Sequence, residues 1–200
     1  MTERPYQIWL FRHGATEWSE SGQHTGSTDL PLLESGRERA RAVGQRLNGR
    51  HFALVLSSPM VRAIDTCRLA GYGDDLQIDE NLMEWDYGDY EGRRTADIQK
   101  ERPGWLLWTG GVPNGETADA VGRRADRVIA RAAGADGDVA LFAHGHVLRV
   151  LCARWLGLPP TDGRFFALGT AAVSVLGFEH DYHVIHHWNQ SSHLLDLEAV

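Results

Sequence analysis

Twice in this chain an apolar run able to form a buried strand stops on a histidine followed by a glycine. Ile8, Trp9, Leu10 and Phe11 lead into Arg12-His13-Gly14, and residues 138–143 lead into His144-Gly145-His146. In an open α/β sheet, ligands collect outside the carboxyl ends of the strands. Both junctions therefore send an imidazole to the same end of one sheet, with Arg12 beside the first. Two such junctions in one small domain imply two imidazoles facing one site.

The pattern between the junctions agrees with an α/β alternation. Residues 15–34 are too rich in Gly, Ser and Thr for regular structure and are expected to form a polar loop. A helix follows from about Ser35, with Ala40, Val43 and Leu47 on one face. A short strand over 52–56 leads through Ser57-Ser58-Pro59 into a second helix, with Pro59 expected in its first turn. The stretch 85–115 reads as mostly loop, with a short helix around 95–101. A clear helix covers 116–133, with Val121, Ala125, Val128 and Ala132 along one side. A helix at 147–156 ends before Gly157 and Pro159-Pro160. Residues 171–178 and 182–188 form a closing hairpin around 179–181. With no repeat, low-complexity segment or linker, residues 1–200 are expected to be a single α/β domain.

Composition excludes several classes of function. The formal charge is −7, so the surface as a whole repels nucleic acid and anionic membranes. Any anion site must be a local basic pocket. Cys67 and Cys152 stand alone in helical stretches and are expected to be reduced core residues. The amino terminus lacks the apolar run of a signal peptide, and no stretch is long enough to span a bilayer, so a cytoplasmic location is expected.

Several ordered blocks carry a resemblance. They are RHGATEW at 12–18, TGSTDLPL at 25–32, SSPMVRAIDT at 57–66, EWDYGDYEG at 84–92, GET at 115–117 and HGHVLRVL at 144–151. Together the chain resembles the histidine phosphatase superfamily, also called phosphoglycerate-mutase-like. Its wording is closest to members that include acid phosphatases and a sedoheptulose-bisphosphatase. The resemblance implies a three-layer α/β fold with a mostly parallel central sheet flanked by helices. It also implies phosphoryl transfer without metal or cofactor, and it makes a homodimer through an edge strand an option.

Phosphoryl transfer needs a nucleophile, cations around the equatorial oxygens and an acid for the leaving oxygen. A neutral imidazole can attack phosphorus and form a covalent phosphoenzyme. Arginine suits phosphate because its planar fork stays charged and binds in a bidentate way. In the resemblance His13 matches the phosphorylated histidine, and Arg12, Arg62 and His144 match residues that clamp the phosphoryl group. Gly145 would add a backbone N–H at a helix start, a natural anion site. Glu84, in the pattern L-x-E-x-x-x-G-x-x-E-G, matches the proton donor. Glu91 in the same pattern reads as a structural cap. Because Glu84 must carry a proton while His13 stays neutral, an acidic to mildly acidic optimum is expected.

The substrate loop departs from the common pattern. Ser19 stands where many members have asparagine, and Gln23 and Thr25 stand where they have arginine and glutamine. Ser19 and Thr25 can still donate to a phosphoryl oxygen. His24 and His146 are candidates for contacts to the rest of the substrate, although both also fit a surface role. Trp85, Tyr87, Tyr90, Trp105 and Trp108 are expected to roof the pocket or to be ordinary core. Five histidines crowd the end of the chain: His180, His183, His186, His187 and His193. Strand alternation puts His183 and His187 on one face and His186 on the other, which does not favour a metal site.

Three functions compete. A phosphatase acting on small phosphorylated metabolites is the first, and a phosphoglycerate mutase with the same chemistry is the second. A non-catalytic phospho-ligand module is the third. A mutase must shield its phosphohistidine from water, which a lid can do. The short connection from Gly92 to Gly115 leaves little chain for one and favours hydrolysis. The third reading predicts loss of His13 or Glu84, and both are present.

Overall fold

The computed structural model describes residues 6–194. In chain order its regular elements are β1 (Ile8–Arg12), α1 (Glu17–Ser21), α2 (Glu34–Leu47), β2 (Leu54–Ser57), α3 (Val61–Leu69) and β3 (Leu76–Ile78). They continue with α4 (Thr95–Glu101), α5 (Leu107–Gly110), α6 (Ala118–Ala133), β4 (Val139–Ala143), α7 (Gly145–Trp155), β5 (Val173–Glu179) and β6 (Tyr182–Gln190). The strands form one sheet in the order β3-β2-β4-β1-β5-β6. The pairs β3-β2, β2-β4 and β4-β1 are parallel, and β5 and β6 add an antiparallel edge. This is the expected three-layer fold with a mostly parallel sheet.

Alternation along the central strands splits the core between the two faces. Ile8 and Leu10 of β1, with Val139 and Leu141 of β4, pack with the stripe Val121, Ala125, Val128 and Ala132 of α6 and with α7. Phe11 and Phe142 point the other way, stacked 4.6 Å apart, into a second cluster with Val43 and Leu47 of α2 and Cys67 of α3. Both cysteines are free and buried, and burial pushes their thiols up to about 12. Among the described residues no helix is long and apolar enough to cross a membrane.

Four local expectations are corrected. The loop at 15–34 contains α1, because Thr16 and Ser19 form a reciprocal capping box around its first turn. The Ser and Thr content that argued against structure is what nucleates this helix. Pro59 lies before the second helix rather than in its first turn, because Met60 is the extended N-cap of α3. The three-residue edge strand β3 was not foreseen; only Leu76 of its residues is even half-buried. The fourth concerns the closing hairpin, which forms as expected but carries a bulge between Ile185 and His187. His183 stacks on Trp155 at 3.9 Å on the α7 side, whereas His187 sits opposite Val175 and bonds Gln190. The bulge changes the alternation, so His183 and His187 do not share a face. Arg46 of α2 reaches Gln190 and His193, and His193 bonds the Ala171 carbonyl.

Candidate active site

The parallel pairing of β1 with β4 sets Arg12 opposite Ala143, so the two His-Gly junctions leave the sheet side by side. The His13 N–H donates to the Ala143 carbonyl at 2.9 Å, and the His13 and His144 rings lie 5.2 Å apart. Gly14 then passes directly against the first turn of α2. A β-carbon at Gly14 would lie 2.3 Å from the Gly36 carbonyl oxygen, and one at Gly36 would lie 2.2 Å from that of Ala15. This backbone-to-backbone contact fixes the direction in which His13 leaves the strand.

His13 is buried and makes a 2.7 Å contact from Nδ1 to the Gly14 carbonyl. The carbonyl can only accept, so Nδ1 carries the proton and Nε2 keeps its lone pair. Burial, then the charges of Arg12 and Arg62, hold the imidazole pKa well below its ordinary value. A neutral ring with an unprotonated Nε2 is the form a nucleophile requires.

Arg12 packs over Gly145, where a β-carbon would touch Cζ and Nε at 3.4 Å. Its Nη1 bonds the Leu168 carbonyl, while its Nε is buried with no hydrogen-bond partner among the described residues. A buried donor left open is costly unless a ligand completes it.

Arg62 is fully buried against His144, and its charge also acts on His13. Nε donates to His144 Nδ1 at 3.1 Å, Nη1 to the Thr28 carbonyl at 2.9 Å, and Nη2 to the carbonyls of Thr25 and Gly26 at 3.3 and 2.9 Å. The fork therefore holds the 25–28 loop with its charge buried. Because Nδ1 of His144 accepts, its Nε2 carries the proton and donates to Ser58 Oγ at 2.7 Å. Burial and then Arg62 keep this ring neutral too. Glu91 holds the same loop from the other side, accepting from the backbone N–H groups of Gly26 and Thr28.

Glu84 sits at the start of α7. Oε1 accepts from the backbone N–H groups of Trp85 and Val147, and Oε2 from that of His146, each at 2.9 Å. It therefore uses the second and third donors of the helix and leaves the Gly145 N–H as the first-turn donor free of it.

These groups meet at a cavity of about 260 Å³ lined by Arg12, His13, Glu84 and Gly145, with Ser19, His24, Thr25 and His146. Arg62 and His144 do not line it. Ser19 faces the cavity with its hydroxyl engaged by the Thr16 backbone, donating to the carbonyl at 2.9 Å. The Thr25 hydroxyl donates to the Gln23 carbonyl at 3.3 Å.

His24 is stacked 4.7 Å from Tyr87, and burial lowers its pKa to about 4. The Tyr87 hydroxyl lies 2.6 Å from His146 Nδ1. Burial, then Glu84, raises the tyrosine pKa well above its ordinary value, so it keeps its proton and donates. His146 then carries its own proton on Nε2, and burial, with Arg149 next, keeps the ring neutral.

Of the five aromatic residues expected as a roof, Tyr87 lines the cavity. The others hold the 85–115 segment together. Trp85 Nε1 donates to Glu116, Trp105 Nε1 to Gly111, and Tyr90 receives Arg102, while Trp108 packs edge-on to Trp85. Residues not anticipated also line the wall: Trp18, Thr95, Leu168 and Arg149. Trp18 arrives with α1, and Arg149 lies one turn beyond Gly145 on α7. Helical spacing from Gly145 was the available signal for Arg149.

Among the described residues no group of three or more His, Cys, Asp or Glu side chains could hold a metal ion. The positive charge around His13 is supplied by arginine.

A buried neutral histidine at a strand end, an arginine beside it and a carboxylate across the cavity define a phosphoryl-transfer site on an α/β sheet. The chain belongs to the histidine phosphatase superfamily (branch 1), whose family profile matches residues 8–191. It is 41% identical over 184 residues to an acid phosphatase of Mycobacterium tuberculosis, with 90% of each chain covered. It is 38% identical over 182 residues to the sedoheptulose 1,7-bisphosphatase of Saccharomyces cerevisiae, covering 74% of this chain and 67% of that one. A solved structure of a functionally characterised open reading frame of M. tuberculosis superimposes with a TM-score of 0.89. It shares 38% identity and covers 94% of this chain and 99% of the other.

Proposed function

We propose that this protein is a phosphomonoesterase for small phosphorylated metabolites, sugar phosphates among them, working through a phosphohistidine at His13. The observation that carries this reading is the His13 tautomer: the Nδ1 contact to Gly14 leaves Nε2 bare in a cavity shared with Arg12 and Glu84. The names of the phosphatase relatives support the same reaction class.

Nε2 attacks phosphorus as the P–O ester bond breaks. Glu84, protonated at this step, gives its proton to the leaving oxygen. The open Nε of Arg12 and the Gly145 N–H take the equatorial oxygens, and the charge of Arg62 stabilises the transferring group. In the second half, Glu84, now a carboxylate, takes a proton from water as that water attacks the phosphohistidine. The P–N bond breaks, phosphate leaves, and His13 and protonated Glu84 are restored. The segment between Gly92 and Gly115 folds as α4 and α5, largely on the aromatic core, which supports hydrolysis over transfer back to substrate. The −7 charge and the buried free cysteines support a cytoplasmic enzyme with no nucleic-acid or membrane partner. A homodimer would use an edge strand of the sheet, β3 or β6.

The test is phosphate release from a phosphomonoester panel in EDTA, with 3-phosphoglycerate assayed in parallel for isomerisation. Release without isomerisation is expected. Isomerisation would make this a mutase, and no turnover of either kind would return the chain to the non-catalytic binding module.

A further inference from the structure

Glu84 lines two cavities. One is the cavity at His13. The other, of about 430 Å³, lies on the α6 side and is lined by Glu84 with Glu80, Met83, Glu116 and Arg124. Close packing is what fixes a side chain in a protein interior, and a residue with a cavity on either side lacks part of it. The Glu84 carboxylate is pinned by the amides of Trp85, His146 and Val147, so the backbone that carries it must be pinned as well.

Arg124 of α6 does this. Its Nη1 donates to the carbonyls of Asn81 and Met83 at 2.8 and 2.9 Å, and its Nη2 to that of Glu84 at 3.2 Å. Nε and Nη2 also donate to the two carboxylate oxygens of Glu116 at 2.8 and 2.7 Å, a bidentate pair. Glu116 in turn holds the chain just past Glu84. Its Oε2 accepts from the Asp86 N–H at 3.1 Å, and its own N–H donates to the Asp86 carbonyl at 2.9 Å. Its carbonyl accepts from Trp85 Nε1 at 2.9 Å.

Burial acts to raise the Glu116 pKa, but the bonds from Arg124 outweigh it and hold the carboxylate below its ordinary range. Residues 81–86 are thus held on both sides of Glu84 by one ion pair. An ion pair that only fastened α6 would need no particular partner. This one spends every N–H of the guanidinium on the stretch carrying Glu84 and on the carboxylate that anchors it. Neither Arg124 nor Glu116 lines the cavity at His13, so neither touches the reacting atoms.

We propose that the Arg124–Glu116 pair positions the Glu84 carboxylate at the active cavity, holding its backbone from the α6 side while the α7 amides hold its oxygens. Both are positioning residues. Their effect on turnover rests on the reading of Glu84 as the acid of a phosphomonoesterase.

The experiment pairs a substrate that needs the acid with one that hardly does, glycerol 3-phosphate against p-nitrophenyl phosphate. Arg124→Gln and Glu116→Gln should each lower kcat for glycerol 3-phosphate by about ten- to hundredfold at nearly unchanged KM, the scale of a misplacement of about 1 Å. Hydrolysis of p-nitrophenyl phosphate should fall by less than about threefold. Arg124→Lys should recover part of the loss, since it keeps the charge and some of the donors. Added to Glu84→Gln, Arg124→Gln should slow glycerol 3-phosphate no further. Equal slowing of both substrates by Arg124→Gln while Glu84→Gln discriminates between them, or full additivity in the double variant, overturns the proposal.

Amide hydrogen exchange reads the positioning without turnover and checks the fold at the same time. His146 and Val147 lie in the first turn of α7, where an N–H has no partner within the helix, and both donate to Glu84. In Glu116→Gln these two amides should exchange about tenfold faster or more, while those of β4 stay protected. Unchanged exchange at His146 and Val147 overturns the proposal even in an active enzyme, and so does an equal acceleration throughout β4. Faster exchange confined to the Glu84 contacts, in a protein that turns over no ester, keeps this inference and overturns the phosphomonoesterase reading.

Discussion

Arg62→Lys is the substitution whose consequences follow most fully from the geometry. The native guanidinium donates four hydrogen bonds in a fully buried setting, to His144 and to the carbonyls of Thr25, Gly26 and Thr28. An ammonium keeps the charge but projects three donors from one point, so it cannot span an imidazole and a loop at once. Losing about two charge-assisted bonds at roughly 1.5–3 kcal/mol each predicts a destabilisation of about 3–6 kcal/mol. That is a large share of the 5–15 kcal/mol typical of a domain. Urea unfolding at pH 7, followed by the seven tryptophans, reads this as a lower midpoint at unchanged slope. The loss should reach the chemistry as well. Without its Nε donor, His144 is no longer fixed as the Nε2–H tautomer, and kcat/KM should fall by about tenfold or more, at least 1.4 kcal/mol of barrier. A variant within about 1 kcal/mol of wild type and equally active would refute the claim that Arg62 organises the loop and His144.

Glu84→Gln should slow alkyl phosphates by about 10²–10⁴-fold and p-nitrophenyl phosphate far less, because only the poor leaving group needs a proton. Equal slowing of both in steady-state assays would argue against Glu84 as the acid. His24→Gln tests acid stability. The folded pKa of His24, about 4, lies below its unfolded value of 6.5, so the unfolded chain takes up a proton first as pH falls. Stability is therefore fully present above about pH 6.5 and is lost on the way down towards pH 4, by up to about 3 kcal/mol from this residue. The difference in unfolding free energy between pH 7 and pH 4.5 should shrink by about 2–3 kcal/mol in His24→Gln, and an unchanged difference would contradict the burial argument.

The central strands and long helices are legible because the patterns that define them are local, whereas the short exposed edge strand β3 has no such pattern. The apolar run Ile8–Phe11 and the stripe Val121–Ala132 carry their burial in their spacing. Motif wording likewise brought His13, Glu84, His144, Arg12 and Arg62 to attention, and the structure gathers all five at one end of the sheet. What was lost depends on contacts distant in sequence. Arg62 reads as a helix-start cation, and only the fold shows that its fork is spent on the loop and His144 while Arg12 keeps the open donor. The aromatic segment could not reveal which rings would face inward, since that is decided by where Trp85 and Trp105 find carbonyl partners at Glu116 and Gly111. The bulge beyond Ile185 carries no breaker residue, so strict alternation placed His187 on the wrong face. Thr16 and Ser19 carry the three-residue spacing of a reciprocal helix cap, which composition alone does not express.

The central claim is covalent catalysis at His13, and rapid acid-free quenching of turnover with a ³²P-labelled phosphomonoester tests it most directly. The account predicts a labelled protein whose phosphoryl group is stable to base, labile to acid and located on His13. The label should be absent from His13→Ala, which should fold normally and release no phosphate. Turnover surviving in His13→Ala, or a label on any other residue, would contradict it.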